Sequence, residues 1–179
     1  MINPIETLEK NGTTLKIYAD DMPFNPRTEF DNLGCMVCFH NRYDLGDKGH
    51  GYNPDDFNGW EELKGKIEED SAPLLAILPV YMYDHSGITI STAPFSCSWD
   101  SGQIGWIYMT EAMALDSDID AEKAEAYLKG EVETYNHYLT GETYRFEKTG
   151  PDGEEDSCSG FYGSDHKASG LFENAGWEE

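Results

Sequence analysis

Three residues with reactive side chains occur close together between positions 85 and 100. His85, Cys97 and Asp100 are the residue types of a general base, a nucleophile and a group that orients the base. A cysteine-nucleophile hydrolase would use Cys97 with His85. However, the sequence predicts no helix after Cys97 that would lower the pKa of its thiol, and Asp-His-Ser-Gly at 84–87 is typical of a hairpin turn. The hydrolase is therefore an alternative function, and the turn is the favoured interpretation.

A second cluster lies in the segment 40–50. His40, Asp44, Asp47 and His50 place two imidazoles and two carboxylates within a short loop, which is enough for a divalent metal ion. Their spacing matches no established ligand pattern, and Gly-rich loops often carry Asp for turn geometry. A metal-dependent hydrolase is the other form of the alternative function. We nevertheless predict no metal site and no cofactor.

The sequence Cys35-Met-Val-Cys38 has the spacing of half a zinc site, which His40 and Cys97 could complete. The intervening Met36 and Val37 suit a buried strand better than a zinc knuckle. Because no export signal precedes them, we expect Cys35, Cys38, Cys97 and Cys158 to be reduced thiols. We predict no catalytic residue in the chain.

The elements that would position these groups centre on Leu74–Tyr108. We predict three strands there, at 74–83, 88–92 and 104–108, forming a meander at the centre of one sheet. Their inward side chains are predicted to be largely buried. These are Ile77, Val80, Ile88, Ile90, Ile104 and Ile107.

Further strands are predicted at 13–19, 33–40, 143–148 and 157–162. A first helix is predicted to begin at the N-cap Asn53, with an inward stripe of Phe57, Trp60, Leu63, Lys64 and Ile67. A second helix is predicted to begin at Asp118 or Asp120 and to end before Gly141. Its predicted apolar face is Ala121, Ala124, Tyr127, Leu128, Val132, Tyr135 and Leu139.

The predicted fold class is α+β. Residues 1–179 are predicted to form a single domain, a mainly antiparallel sheet with two helices packed on it. Residues 163–179 are Gly- and Ser-rich with scattered aromatic residues, so this tail can either dock on the domain or stay loose.

The chain is very acidic for a folded protein. Its 179 residues include 35 Asp and Glu but only 12 Lys and Arg, a net charge of −23. Such a surface repels nucleic acid and anionic membranes and attracts basic proteins. With neither a signal peptide nor a transmembrane segment in the sequence, we expect the cytoplasm as its location.

The charge is concentrated towards the C-terminal half. Residues 111–156 contain 14 acidic and four basic residues, a net charge of −10, whereas residues 71–110 contain two acidic residues and no Lys or Arg. The simpler interpretation is a solvated helix face. We predict instead a partner-binding surface on the second helix and the following hairpin turn. Its residues are Glu122, Glu125, Glu133, Asp152, Glu154, Glu155 and Asp156.

The segments YMYDHSGITISTAPFSCSWDSGQIGWIY and DNLGCMVCFHNRYDLGD resemble an uncharacterised family of small acidic proteins encoded by bacteriophages and mobile elements. The resemblance spans about residues 31–108, with weaker similarity at 130–139 and 157–163. It implies a phage accessory gene, a setting in which many products inhibit host defence. It implies no activity and no catalytic residues.

These observations favour a phage-type acidic inhibitor over an enzyme. We expect it to bind a basic nucleic-acid-binding surface of a host defence protein in the host cytoplasm, as a DNA-mimic-like protein of the anti-restriction or anti-CRISPR class. The expected partner is thus a protein, with no direct binding to nucleic acid or membrane. The alternative remains a small hydrolase with its chemistry at His40–His50 or at His85, Cys97 and Asp100.

Overall fold

The computed structural model describes residues 3–115 and 119–177 and has an α+β fold made mainly of antiparallel strands, as predicted. Within these residues the strands are β1 Glu6–Lys10, β2 Thr13–Ala19, β3 Cys35–Cys38, β4 Leu74–Asp84, β5 Ile88–Ser91, β6 Ser101–Thr110, β7 Thr143–Thr149 and β8 Glu155–Tyr162. The α-helices are α1 Pro26–Glu29, α2 Trp60–Asp70, α3 Ala121–Thr140 and α4 Leu171–Asn174, and a 3-10 turn covers Pro54–Asp56.

The described strands form two four-stranded sheets, whereas the sequence predicts one. One sheet has the order β1-β2-β7-β8 and the other β3-β6-β4-β5. The chain divides into two compact units, Met1–Asn25 with His137–Glu179, and Pro26–Asn136, and each sheet lies in one unit. The single sheet was a wrong prediction because alternation identifies a strand's buried face but not the strand with which it pairs.

The segment Leu74–Tyr108 does supply three strands to the 26–136 unit, but they are not a simple meander. β4 lies between β5 and β6, pairing with β5 through Tyr81 opposite Ser91 and with β6 through Ile77 opposite Tyr108. β5 has only four residues, and nine residues connect it to β6. That connection is too long for a tight hairpin, so β6 can reach the far edge of β4.

Four of the six side chains predicted to be buried in these strands are almost completely inaccessible, namely Val80, Ile90, Ile104 and Ile107. Ile77 and Ile88 are only partly buried. At Gly105 of β6, an added Cβ would lie 2.0 Å from the carbonyl oxygen of Val37. The close pairing of β3 with β6 therefore requires glycine at this position.

Helix α2 begins later than the sequence predicts. Asn53 does act as a cap, since its side chain accepts a hydrogen bond from the Asp55 N–H, but it caps the 3-10 turn, and α2 starts at Trp60. Gly59, with φ +130°, separates the two elements. Leu63 and Ile67 of α2 pack with Val37, Trp106 and Tyr108 to form the core of this unit.

Helix α3 agrees with its predicted ends. The Asp120 carboxylate accepts a hydrogen bond from the Lys123 N–H at 2.9 Å, and Gly141, with φ +75°, follows the last helical residue. Asp118, the other predicted cap, lies outside the described residues. The predicted apolar face is wrong at Tyr127, which is 51% exposed, and at Ala121, which is also exposed. No helix in the described ranges is long and apolar enough to cross a membrane.

The other unit is built on two hairpins. Asn11 and Gly12, with φ +51° and +79°, form the tight turn between β1 and β2, and β2 then pairs with β7. Its core contains Leu15, Ile17, Phe146 and Phe161 together with two residues of the C-terminal segment, Leu171 and Ala175. Hence residues around α4 contribute fully buried side chains to this core.

Candidate functional site

The predicted partner-binding residues of α3 are all on its surface. Glu122, Glu125 and Glu133 are exposed, and helical periodicity places them within an arc of about 80° around the axis. The buried side chains Ala124, Leu128, Val132 and Tyr135 fix which side of the helix faces inward. Lys129 falls within the same arc, and its ammonium lies 3.4 Å from the Glu125 carboxylate. The arc therefore contains one paired and two further glutamates.

The remaining predicted residues lie on the turn between β7 and β8. Pro151 follows Gly150, whose carbonyl accepts a hydrogen bond from the Gly153 N–H at 3.0 Å, and Gly153 has φ +80°. A Pro-Asp-Gly sequence suits such a turn, because proline presets the first corner and glycine adopts the positive φ. All four acids of this turn and the start of β8, Asp152, Glu154, Glu155 and Asp156, are exposed.

A groove of about 590 Å³ lies beside this turn and is lined by residues of β7 and β8. Glu147, Glu155 and Asp156 contribute three carboxylates to its lining, and Lys148 contributes one ammonium. Lys148 lies 3.5 Å from Asp156 and donates a hydrogen bond to the Ala175 carbonyl at 2.6 Å. The groove thus keeps an excess of negative charge.

The α3 glutamates belong to the 26–136 unit, and the turn carboxylates belong to the other unit. The predicted acids are therefore described as two clusters, one in each unit. We refer to Glu122, Glu125 and Glu133 as the helix cluster, and to Asp152, Glu154, Glu155 and Asp156 as the turn cluster.

Not every acid of α3 faces outward. Glu131 accepts hydrogen bonds from the backbone N–H groups of Leu33 and Gly34 and forms an ion pair with Arg27 at 2.7 Å. Arg27, whose side chain is 1% exposed, also binds both carboxylate oxygens of Asp47, at 2.8 and 2.6 Å, and the Gly34 carbonyl. We call Arg27, Asp47 and Glu131 the buried ion cluster.

The contacts of the buried ion cluster determine the direction in which the pKa of Arg27 is shifted. Burial by itself lowers the pKa of Arg27, but hydrogen bonds and charge from Asp47 and then Glu131 outweigh burial, so the pKa is raised. Sequence reasoning missed this cluster, because the three residues share no local pattern. The only signal was the scarcity of arginine, of which the chain has three.

The residues of the alternative thiol hydrolase are brought together, but in an order unsuited to that chemistry. The Asp100 carboxylate lies 3.5 Å from Nδ1 of His85 and accepts a long contact from the Cys97 thiol at 4.0 Å. The carboxylate, not the imidazole, is thus next to the sulfur. A general base must touch the nucleophile to take its proton, and here the imidazole contacts the carboxylate instead. His85 is 65% exposed and stacks on Tyr83.

The segment 40–50 does not assemble a metal site. Asp47 is held by Arg27, and Asp44 forms an ion pair with Lys48. Across residues 3–115 and 119–177, no three His, Cys, Asp or Glu side chains are grouped so as to hold a metal ion. His40 and His50 instead line a cavity of about 630 Å³ together with aromatic residues of the same unit.

Cys35 and Cys38 lie on β3, as the strand interpretation predicts, and all four cysteines are free thiols. Burial raises the pKa of the Cys38 thiol to about 12, and the charge of Asp47 acts in the same direction. Burial also raises the pKa of Cys35. Both groups are therefore protonated and unreactive near neutral pH.

The chain matches no known protein-family model, and neither curated proteins nor solved structures include a significant match to it. The resemblance to acidic phage-encoded proteins therefore stays a prediction from the sequence. Any functional conclusion depends on the surfaces and cavities described above.

Proposed function

We propose that this protein is a phage-type acidic inhibitor that binds the basic nucleic-acid-binding surface of a host defence protein. Its carboxylates would take the place of phosphates, as in a DNA mimic of the anti-restriction or anti-CRISPR class. The single observation that carries the proposal is that all seven predicted acids are exposed on regular elements or a tight turn.

Rigid presentation matters because single exposed ion pairs contribute little. Each is worth about 0 to 1 kcal/mol, so recognition requires several carboxylates held at once. In the helix cluster, Glu122 and Glu133 are 11 residues apart, which corresponds to about 16 Å along an α-helix. In the turn cluster, the four acids follow one another within five residues. Both arrangements hold negative charge at short intervals without a large ordering cost.

The net charge of −23 supports the same proposal. Charge of one sign accelerates the approach of an oppositely charged protein, and salt screens this attraction with a Debye length of about 10 Å at 0.1 M. Binding should therefore be fast at low ionic strength and weaken steeply with added salt, as it does when proteins bind DNA.

The test uses a panel of purified restriction and CRISPR effector proteins, with displacement of fluorescent DNA as the readout. We expect the protein to displace DNA from at least one effector, with an apparent affinity that falls as salt rises. Reversing Glu122, Glu125 and Glu133 to Lys should weaken displacement roughly tenfold or more, because three attractions become repulsions. The corresponding turn variant neutralises Asp152, Glu154, Glu155 and Asp156 to Asn or Gln.

The matched control reverses Glu61, Glu68 and Glu69, three exposed glutamates of α2, to Lys. It changes the net charge by the same amount on another helix. Unchanged displacement by this control, with loss in the helix-cluster variant, supports a specific surface. Equal losses in both variants would show that only total charge matters, and equal activity of parent and helix-cluster variant at low salt would remove that cluster from the interface.

A further inference from the structure

The cavity between the segment 38–50 and the region of α2 has the size of a small-molecule site. Its volume of about 630 Å³ falls within the roughly 300–1,000 Å³ usual for ligand pockets. Its residues all lie between Cys38 and Leu63, so a single compact unit forms it. The acidic clusters contribute no residue to its lining, so its function is separate from theirs.

Aromatic side chains line much of this cavity. The rings of Phe39 and Trp60 are nearly parallel, with an interplanar angle of 13° and centroids 6.3 Å apart. His50 meets Phe39 edge to face at 5.6 Å, and His40 stacks on Tyr43 at 5.1 Å. These side chains are only partly buried, so part of their surface stays accessible. Such walls favour a flat ring as ligand.

The charges at the cavity compensate one another. Asp44 is paired with Lys48, and Asp47 is held by Arg27 and also accepts the Met36 N–H at 2.7 Å. A cationic ligand would therefore find each of these two carboxylates already paired. An anionic ligand would be repelled by a protein whose net charge is −23. The charge pattern thus favours an uncharged ligand.

Each of the two histidines accepts a hydrogen bond from a backbone N–H. Nδ1 of His40 accepts a hydrogen bond from the Arg42 N–H at 3.3 Å, and Nδ1 of His50 accepts one from the Tyr52 N–H at 3.1 Å. A ring nitrogen that accepts a hydrogen bond carries no proton, so in each ring the nitrogen that can donate is Nε2. Burial also lowers the pKa of His50, which keeps that ring neutral. The cavity lining therefore includes two imidazole N–H donors.

We propose that this cavity binds an uncharged heteroaromatic ring, a nucleobase or its nucleoside, which stacks on Phe39 and Trp60 and accepts hydrogen bonds from His40 and His50. A nucleobase has the flat faces that the aromatic walls require and carries acceptor atoms on its edge for N–H donors. Its nucleoside is neutral, whereas its phosphorylated forms meet the repulsion of the acidic surface.

The test measures binding of adenosine, guanosine, cytidine and uridine to the full chain by calorimetry and ligand-observed NMR, alongside their 5′-monophosphates and indole. We expect one-to-one binding of at least one nucleoside. The matching monophosphate should bind about tenfold more weakly at low salt, and added salt should reduce the difference. Indole, which has the flat ring but lacks the acceptors, should also bind about tenfold more weakly.

Variants then assign the donors. His40→Phe and His50→Phe keep an aromatic ring but remove the N–H, so each should weaken nucleoside binding about tenfold. His85→Phe is the matched control, because His85 is exposed and does not line the cavity, and it should leave binding unchanged. Long-range ¹⁵N–¹H spectra of the imidazoles should show the Nε2–H form for His40 and His50, and ligand should shift both signals.

The proposal is wrong if no nucleoside saturates the protein at 10 mM, an upper limit of about −3 kcal/mol for binding. It is also wrong if the monophosphate binds more tightly than the nucleoside, or if both histidine variants keep their melting temperature and bind like the parent. Should His50→Phe fail to fold, His40→Phe alone decides, because His40 also lines the cavity.

Discussion

Glu131 and Glu133 are two residues apart on the same helix but belong to different environments. Glu131 faces inward and completes the buried ion cluster with Arg27 and Asp47, whereas Glu133 is exposed. Two residues along an α-helix differ by about 160° around its axis, which suffices to separate the interior from the solvent. The comparison shows that an acidic composition is not a single property. Some carboxylates hold this protein together and others are left to its surface.

The largest expected loss of stability comes from disrupting the buried ion cluster, to which the inward-facing Glu131 belongs. Arg27→Met should destabilise the protein by about 3–5 kcal/mol, because it leaves Asp47 and Glu131 without the cation that compensates them. Urea unfolding monitored by circular dichroism measures this change. If Arg27→Met unfolds within about 1 kcal/mol of the parent, then the buried ion cluster does not stabilise the fold.

Truncation of a buried apolar side chain provides a reference for the stability loss at Arg27. Ile107→Ala should cost about 2–5 kcal/mol, because Ile107 is completely buried in β6 and its truncation leaves a cavity. The same urea series compares the two variants. A loss at Ile107 much larger than that at Arg27 would mean that hydrophobic packing, and not the ion cluster, dominates this unit.

The pH dependence of stability tests the buried groups near the inward carboxylate Asp47. Burial first, and the charge of Asp47 second, raises the pKa of Cys38 from its usual value near 9 to about 12, and burial raises that of Tyr108 to about 12. A group whose folded pKa is raised stabilises the fold below its unfolded pKa and loses this contribution as pH rises towards the folded value. Stability should therefore fall between about pH 9 and 12.

Cys38→Ala is the control for this alkaline loss. Thermal unfolding across that pH range should show a shallower decline for the variant, because one of the groups with a raised pKa is gone. An identical slope in parent and variant would contradict the assignment to Cys38.

The smallest change in the free energy of unfolding is expected at the exposed glutamate, Glu133. Glu133→Gln should change the free energy of unfolding by no more than about 0.5 kcal/mol, since the side chain is exposed. Glu131→Gln, the same chemical change two residues away, should cost about 1–3 kcal/mol, because it removes the charge that faces Arg27. Equal effects at the two positions would remove the distinction between inward and outward carboxylates.

Much of the local structure could be predicted from the sequence, because it depends on neighbouring residues. The cap at Asp120, the glycine after α3 and the strands of 74–108 all follow from short patterns. Strand β1 was missed although Asn11-Gly12 is a strong hairpin signal, because Glu6–Lys10 contains one apolar residue, Leu8. Its partner strand, and not its own composition, places it in the sheet.

The candidate sites divide in the same way. The exposure of Glu122 and Glu133 follows from helix periodicity, which the sequence displays. The pairing of Arg27 with Glu131 does not, because 104 positions separate the two residues and no pattern links them. The sequence singled out His40 and His50 but did not predict the cavity that they line. The aromatic wall of that cavity forms only because Trp60 of α2 packs near Phe39 in the folded protein.

The separation of Arg27 from its two carboxylates also bears on the order in which the chain matures. Asp47 follows Arg27 by 20 positions, whereas Glu131 follows it by 104. At the usual pace of a ribosome, roughly 5–20 residues per second, Glu131 is synthesised about 5–20 s after Arg27. During that interval the N–H groups of Leu33 and Gly34 lack the acceptor that Glu131 provides. We therefore expect the 26–136 unit to complete its buried ion cluster only after α3 has been synthesised.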